Sequence, residues 1–219
     1  MKKVILFDLD GTLTDPKVGI TRSVQHALRY YGIEEPDLDK LCPFIGPPLT
    51  DSFQELYGFS LPQAKEAIEK YREYFSVTGL FENEVYPGIP EMLGMLKEKG
   101  FTLAVATSKP EEYSIRILEH FGLDPYFALV GGADMTETRV KKGEIIAYTL
   151  DRLGVNSKET PVMMVGDRKH DVIGAKENGI PCVGVLFGYG SREELLEAGA
   201  DALVESVKEL GEVLSEFTL

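Results

Sequence analysis

The chain has 219 residues, 43% hydrophobic and 27% charged, enough for one sizeable core or for a core with a small second domain. Its 23 basic and 36 acidic residues give a net charge of −13, which argues against wrapping a nucleic-acid polymer but permits a small anionic substrate held by local cations. No apolar stretch approaches the ~20 residues that span a bilayer, and the start MKKVILF is too short for a secretion signal, so a cytoplasmic protein without a membrane partner is expected.

Residues 4–7 (VILF) form the first expected strand and run straight into Asp8-Leu9-Asp10-Gly11-Thr12. From about 16 to 81 the pattern is helical, with no strand. Ile20, Val24, Ala27/Leu28 and Tyr31 make one stripe, stopped by Gly32. Leu61, Ala64, Ile68, Tyr71 and Phe75 make another, opened by Ser60 with Gln63 three residues on. Tyr86-Pro87-Gly88 marks the return. Strands are then expected at 101–106, 127–130, 162–165 and 182–186, with a weaker one at 202–204.

Helical stripes lie between them: Ile115, Leu118 and Phe121 before Gly122, and Ile145/Ile146, Thr149/Leu150 and Leu153 before Gly154. A last stripe, Val207, Leu210, Leu214 and Phe217, follows the capping pair Ser206 and Glu209. The acidic stretches EELLEAGAD and KELGEVLSEF suggest solvated helix faces. Short apolar runs alternating with helices imply an α/β fold: a doubly wound, Rossmann-like parallel sheet with an inserted α-helical cap. The expected core is 1–15 with 82–219, and the expected cap is 16–81.

Ligands of such sheets sit outside the carboxyl ends of the strands, where Asp8 and Asp10 fall. Side chains at i and i+2 of an extended chain point the same way, so the two carboxylates can converge. Asp10-Gly11 also suits an ordinary turn. A calcium loop counted from Asp8 fails, with Leu13 where Gly is needed and Gly19 where Glu is needed. Thr107-Ser108-Lys109, before an expected helix opened by Pro110, offers a hydroxyl and free N–H groups for phosphate, or simply a cap.

Lys141 and Lys142 at another helix start are unfavourable unless an anion lies nearby; a solvated pair is the plain alternative. Asp167 ends the strand 162–165, and Asp171 follows four residues later. Asp8, Asp10 and Asp167 together would repel without a cation and suit Mg²⁺. Cys42 and Cys182 belong to no CxxC pattern, His26, His120 and His170 share no ligand spacing, and Gly188-Tyr189-Gly190 fails as a dinucleotide fingerprint at Glu193.

Together, DLDGT, Thr107, the lysine before the 143–146 helix run and GDRKHD resemble the four motifs of the haloacid dehalogenase superfamily, in order and over essentially the whole chain. The helical insertion resembles the cap of that superfamily's first subclass. FIGPPL (44–49) and GVLFGYGS (184–191) are similar to phosphoglycolate phosphatases and 5′-nucleotidase-like phosphatases. Dehalogenases of the superfamily lack the second Asp, which Asp10 supplies here.

The resemblance implies a Mg²⁺-dependent phosphatase acting on a small phosphorylated metabolite, phosphoglycolate or a nucleoside monophosphate. Asp8 would be the nucleophile, forming an aspartyl-phosphate, and Asp10 the acid and then the base. Asp8, the Asp10 carbonyl and Asp167 would hold the metal, with Asp171 supporting. Thr107, Ser108 and Lys109 would face phosphate, Lys142 would be the motif lysine, and Gly11 and Thr12 would shape the turn. In a cap that closes over substrate, Lys17, Arg22, Phe44, Ile45 and Gly46 are candidate contacts. The alternatives are a β-phosphoglucomutase-type mutase, whose early cap histidine has no equivalent here, and a non-catalytic binding protein. A monomer or a homodimer fits either way.

Overall fold

The computed structural model describes residues 3–135 and 138–217; the Met1-Lys2 start lies outside them. VILF has no polar face, so the strand it forms needs cover on both sides. That strand, β1 (Lys3–Phe7), is followed by a turn and a two-residue strand, β2 (Thr14–Asp15). The helical insertion then contributes α1 (Lys17–Tyr30), α2 (Leu49–Tyr57) and α3 (Leu61–Tyr74) before the chain returns through β3 (Glu84–Val85).

Helix and strand alternate from there: α4 (Ile89–Glu98), β4 (Phe101–Pro110), α5 (Glu111–His120), β5 (Leu129–Ala133), α6 (Lys142–Arg152) and β6 (Val162–Gly166). The chain ends through α7 (Lys169–Glu177), β7 (Cys182–Val185), α8 (Arg192–Ala198), β8 (Ala202–Val204) and α9 (Val207–Ser215).

The main sheet runs β5-β4-β1-β6-β7-β8 with parallel pairings. β1 is therefore central, with β4 on one side and β6 on the other. The strand order reverses there, which opens a crevice at the carboxyl end of β1. Val4 and Leu6 pack with Ala104, Ala106, Ile145, Ile146, Met164 and Val172. This buried apolar layer anchors the strand whose end carries Asp8. No helix among the described residues is long and apolar enough to cross a membrane.

Three differences from the sequence reading have physical causes. β4 continues through Ser108 and Lys109 to Pro110, and the helix opens at Glu111. Its pairing with β5 shifts register between Thr107 and Pro110, so the polar end of the strand is a bulge. β5 starts later than expected and runs through Gly131 and Gly132, whose lack of side chains hides a strand from any apolar count. In α5 the inward residues are Tyr113, Ile117 and Leu118, while Ile115 faces solvent.

The chain divides into two compact units, one of Met1–Asp15 with Val85–Leu219 and one of Pro16–Glu84. Within the second, α1 buries Ile20, Val24, Ala27 and Leu28, and α3 buries Ala64, Ile68 and Tyr71. Ser60 and Gln63 form the capping box that opens α3. Phe44 lies edge-on to Phe53 at 4.9 Å between ring centres, and Phe53 stacks on Phe59 at 5.7 Å. This unit thus has its own aromatic core, into which Phe44 and Ile45 are fully turned.

Candidate active site

The end of β1 delivers Asp8 into a buried, charged cluster. Its backbone N–H continues the sheet pairing to Val165 O at 2.9 Å. Its Oδ1 accepts from Leu9 N–H at 2.8 Å and faces Lys142 Nζ at 2.8 Å. Lys142 reaches from the first turn of α6, and its ammonium also contacts Asp171 Oδ1 at 2.8 Å and donates to Ala106 O at 3.1 Å. Burial acts to lower the Lys142 pKa, but Asp171 and Asp8 outweigh it and hold the group above its ordinary value. Lys141, one residue earlier, is exposed. Of the two lysines left open by the sequence, Lys142 is the one in the cluster.

Asp10 is held by a different cation. Lys109, re-aimed by the β4 bulge, places Nζ 2.5 Å from Asp10 Oδ2. Burial raises the Asp10 pKa, with Lys109 working against it and Asp8 adding to it. The sequence reading gave Lys109 only to phosphate; a pairing across 99 residues has no local signature. Thr107 Oγ1 accepts from Lys109 N–H at 3.3 Å, and Ser108 is half-buried on the bulge.

Gly11 turns the chain after Asp10 with φ +80°. A side chain there would sit 2.2 Å from Asp167 Oδ2, and one at Gly188 would sit 2.4 Å from Asp167 Cβ. Asp167 is therefore enclosed between two glycines, with its Oδ2 accepting from Tyr189 N–H at 2.8 Å. Burial, Asp171 and Asp8 together push its pKa well up. Asp171, in the first turn of α7, is pushed up to about 6, mostly by burial, with Lys142 opposing.

One carboxylate oxygen from each of Asp8, Asp167 and Asp171 lies within 4.8 Å of the others. Asp10 Oδ1 and Asp167 Oδ1 are buried with no hydrogen-bond partner. An unsatisfied buried carboxylate oxygen is costly. Three converging carboxylates with such an oxygen among them are the donor set of a hard divalent cation. The Thr12 hydroxyl is likewise buried and unpartnered.

Arg22, Lys17 and Gly46 belong to the other unit. Arg22 is ion-paired with Glu82, and Lys17 contacts Asp39 at 2.6 Å. Gly46 is half-exposed with φ +103°. His170 falls in the first turn of α7, where burial and the neighbouring Arg168 and Lys169 lower its pKa.

A Rossmann-like parallel sheet carrying paired aspartates at the end of β1, beside a buried lysine and a downstream acidic loop, defines an α/β protein with an acidic site at the carboxyl end of its central strand. The family model for haloacid dehalogenase-like hydrolases matches residues 5–185. A 5′-nucleotidase of Pseudomonas aeruginosa is 52% identical over 191 residues, covering 87% of this chain and 86% of that protein. Tyrosine-protein kinase PtkA of Mycobacterium tuberculosis is 38% identical, covering 97% of this chain and 72% of that protein. The crystal structure of a predicted phosphatase from Clostridium acetobutylicum superposes with a TM-score of 0.95 at 46% identity, covering 99% of this chain and all of that one. The chain belongs to the haloacid dehalogenase-like hydrolase family, and it is an enzyme, a phosphoric monoester hydrolase.

Proposed function

We propose that the protein is a Mg²⁺-dependent phosphatase that hydrolyses a nucleoside monophosphate through an aspartyl-phosphate. The observation that carries this reading is Asp8 at the end of β1, fixed by Lys142 and facing Asp167 and Asp171. Similarity to a 5′-nucleotidase supports the substrate class. Mg²⁺, held by Asp8, Asp167 and the backbone carbonyl of Asp10, with Asp171 beside them, would offset charge between an anionic nucleophile and an anionic phosphate.

Asp8 attacks phosphorus, and the bond from phosphorus to the ester oxygen breaks. Asp10, whose pKa burial raises against the pull of Lys109, takes the role of acid and gives a proton to the departing oxygen. Asp10 then takes a proton from water as that water attacks the acyl phosphate, which releases inorganic phosphate and restores Asp8. Lys142 aims Asp8 through its 2.8 Å contact with Oδ1. Thr107 and the N–H groups of the β4 bulge hold the phosphate oxygens.

The test is phosphate release from nucleoside monophosphates, phosphoglycolate and sugar phosphates, each with and without Mg²⁺. Mg²⁺-dependent release with nucleotides preferred supports the reading. Preference for phosphoglycolate replaces the substrate and keeps the mechanism. The likeness to a tyrosine kinase favours one further arm, a tyrosine peptide as acceptor in place of water; no release but transfer to that peptide would replace hydrolysis altogether.

Asp10→Asn removes the proton donor. It is expected to slow alkyl phosphates by about 10²–10⁴-fold and an aryl phosphate, whose leaving group needs little protonation, far less. Equal losses on both substrates would remove Asp10 from the acid role.

The buried carboxyls also set a pH dependence. Asp171 binds its proton more tightly folded than unfolded, shifting from 3.8 to about 6. Its stabilising contribution is therefore present below about pH 4 and lost as pH rises through about 6. Asp10 and Asp167 shift in the same direction. Mg²⁺ replaces those protons, so it is expected to raise the calorimetric unfolding midpoint much more at pH 7 than at pH 5. An equal rise at both would contradict a cation bound by these carboxylates.

A further inference from the structure

The segment between β7 and α8 grips the acidic loop after β6 from two sides. On one side Tyr189 N–H donates to Asp167 Oδ2. On the other, Glu194 in the first turn of α8 accepts from Arg168 Nε at 2.9 Å and Nη2 at 3.5 Å. The same carboxylate accepts from the Lys169 backbone N–H at 2.8 Å.

The sequence EELLEAGAD suggests a solvated face, yet the Glu194 side chain is only 23% exposed and that of Arg168 16%. Burial acts to raise the Glu194 pKa, but Arg168 and the Lys169 N–H outweigh it and keep the group ionised. The helix that carries Glu194 is itself anchored. Ser191 caps it by accepting from Glu194 N–H, and Leu195 is fully buried in the core cluster.

Arg168 and Lys169 lie between Asp167 and Asp171 in the chain. Asp171 Oδ2 in turn accepts from Arg168 N–H at 3.0 Å. Glu194 therefore holds both residues that follow Asp167 and open the helix bearing Asp171. The two acids and Asp8 repel one another when ionised. A loop free to relax would move them apart, and each cation bound would first have to draw them back together.

We propose that Glu194 is a positioning residue: acting through Arg168 and Lys169, it holds Asp167 and Asp171 at the separation a divalent cation needs and so sets the affinity of the site for that cation. The proposal rests on the Mg²⁺ reading above. It predicts a change in cation binding rather than in the chemical step, because Glu194 touches none of the reacting groups.

The experiment titrates Mg²⁺ into the full-length wild type, Glu194→Ala and Glu194→Gln by calorimetry, and follows aryl phosphate hydrolysis against Mg²⁺ concentration. Glu194→Ala is expected to weaken Mg²⁺ binding by about 10-fold or more, with kcat at saturating Mg²⁺ within about 3-fold of wild type. Glu194→Gln keeps an acceptor for Lys169 N–H but loses the charge on Arg168, and is expected to fall between them. Arg168→Gln cuts the same link from the other end. It should give a similar shift, with no further loss in the double variant, so the proposal stays testable if Glu194→Ala does not fold. Unchanged Mg²⁺ affinity in either folded variant, or a fall in kcat at unchanged affinity, overturns the proposal. A wild type that binds no Mg²⁺ overturns the Mg²⁺ reading with it.

Discussion

Asp8→Asn is expected to abolish phosphate release, by at least about a thousandfold, while the protein stays folded. The two effects separate because the carboxylate does two things. As the proposed nucleophile it needs a full negative charge, and the amide of Asn cannot form an acyl phosphate. As a structural group it accepts from Leu9 N–H and faces Lys142, and an amide oxygen can still accept both. Losing the charge also removes one of the groups that raises the pKa of Asp167 and Asp171, so the unfolding midpoint without Mg²⁺ is expected to hold or rise. The check has two parts. Acid-quenched wild type mixed with substrate should gain the mass of one phosphoryl group, lost with hydroxylamine, and Asp8→Asn should gain none. A phosphorylated Asp8→Asn protein would move the nucleophile to another residue.

Much of the geometry around Asp8 is legible in the sequence, for a physical reason. A strand buried on both faces must be apolar to its end, so a carboxylate placed directly after VILF stands out. Asp167 after 162–165 stands out in the same way, and the parallel sheet pairs both strands side by side. The helical insertion shows through its 3.6-residue stripes, and α1 and α3 bury the residues those stripes name.

Contacts between distant segments carry no such pattern. Lys109 against Asp10 and Glu194 against Arg168 look in sequence like a residue beside a cap and a charge on a wet helix. Pro110 caps the helix that opens at Glu111, as its sequence signal suggests, but it also ends a bulged strand, which the apolar run 101–106 does not show. Arg22 and Lys17, picked as substrate contacts, have carboxylate partners within their own unit. Only coordinates reveal that an exposed-looking cation is already paired.

The two buried lysines divide the carboxylates between them. Lys109 meets Asp10, the proposed acid, and Lys142 meets Asp8, the proposed nucleophile. This division gives two aspartates two residues apart different surroundings, as the proposed chemistry requires. Asp8 shares its cation with Asp171, whereas the Asp10 carboxyl keeps a raised pKa despite Lys109 and has one oxygen unpartnered.

Lys142→Ala tests that division and is expected to have the second largest effect. The lysine side chain is 4% exposed, and its ammonium meets two carboxylates and a carbonyl. Removing it leaves Asp8 and Asp171 buried and facing each other with no counter-charge. Breaking a buried pair from one side costs about 3–5 kcal/mol, so urea unfolding at pH 8 without Mg²⁺ should show a loss of that size. The loss should shrink at pH 5, where Asp171, with its pKa already pushed up to about 6 beside Lys142, takes up a proton instead. Mg²⁺ should restore part of the stability at pH 8 by supplying positive charge to the same oxygens. It should not restore turnover, which is expected to stay about 10²–10³-fold down because Asp8 has lost the group that fixes its direction. Lys142→Arg should fail to rescue, since α7 presses against the lysine stem: a Cβ on Gly174 would already lie 2.9 Å from Lys142 Cγ. If Lys142→Ala lost no stability at pH 8, the ammonium would not be the counter-charge that Asp8 and Asp171 need, and the division of roles between the two lysines would be wrong.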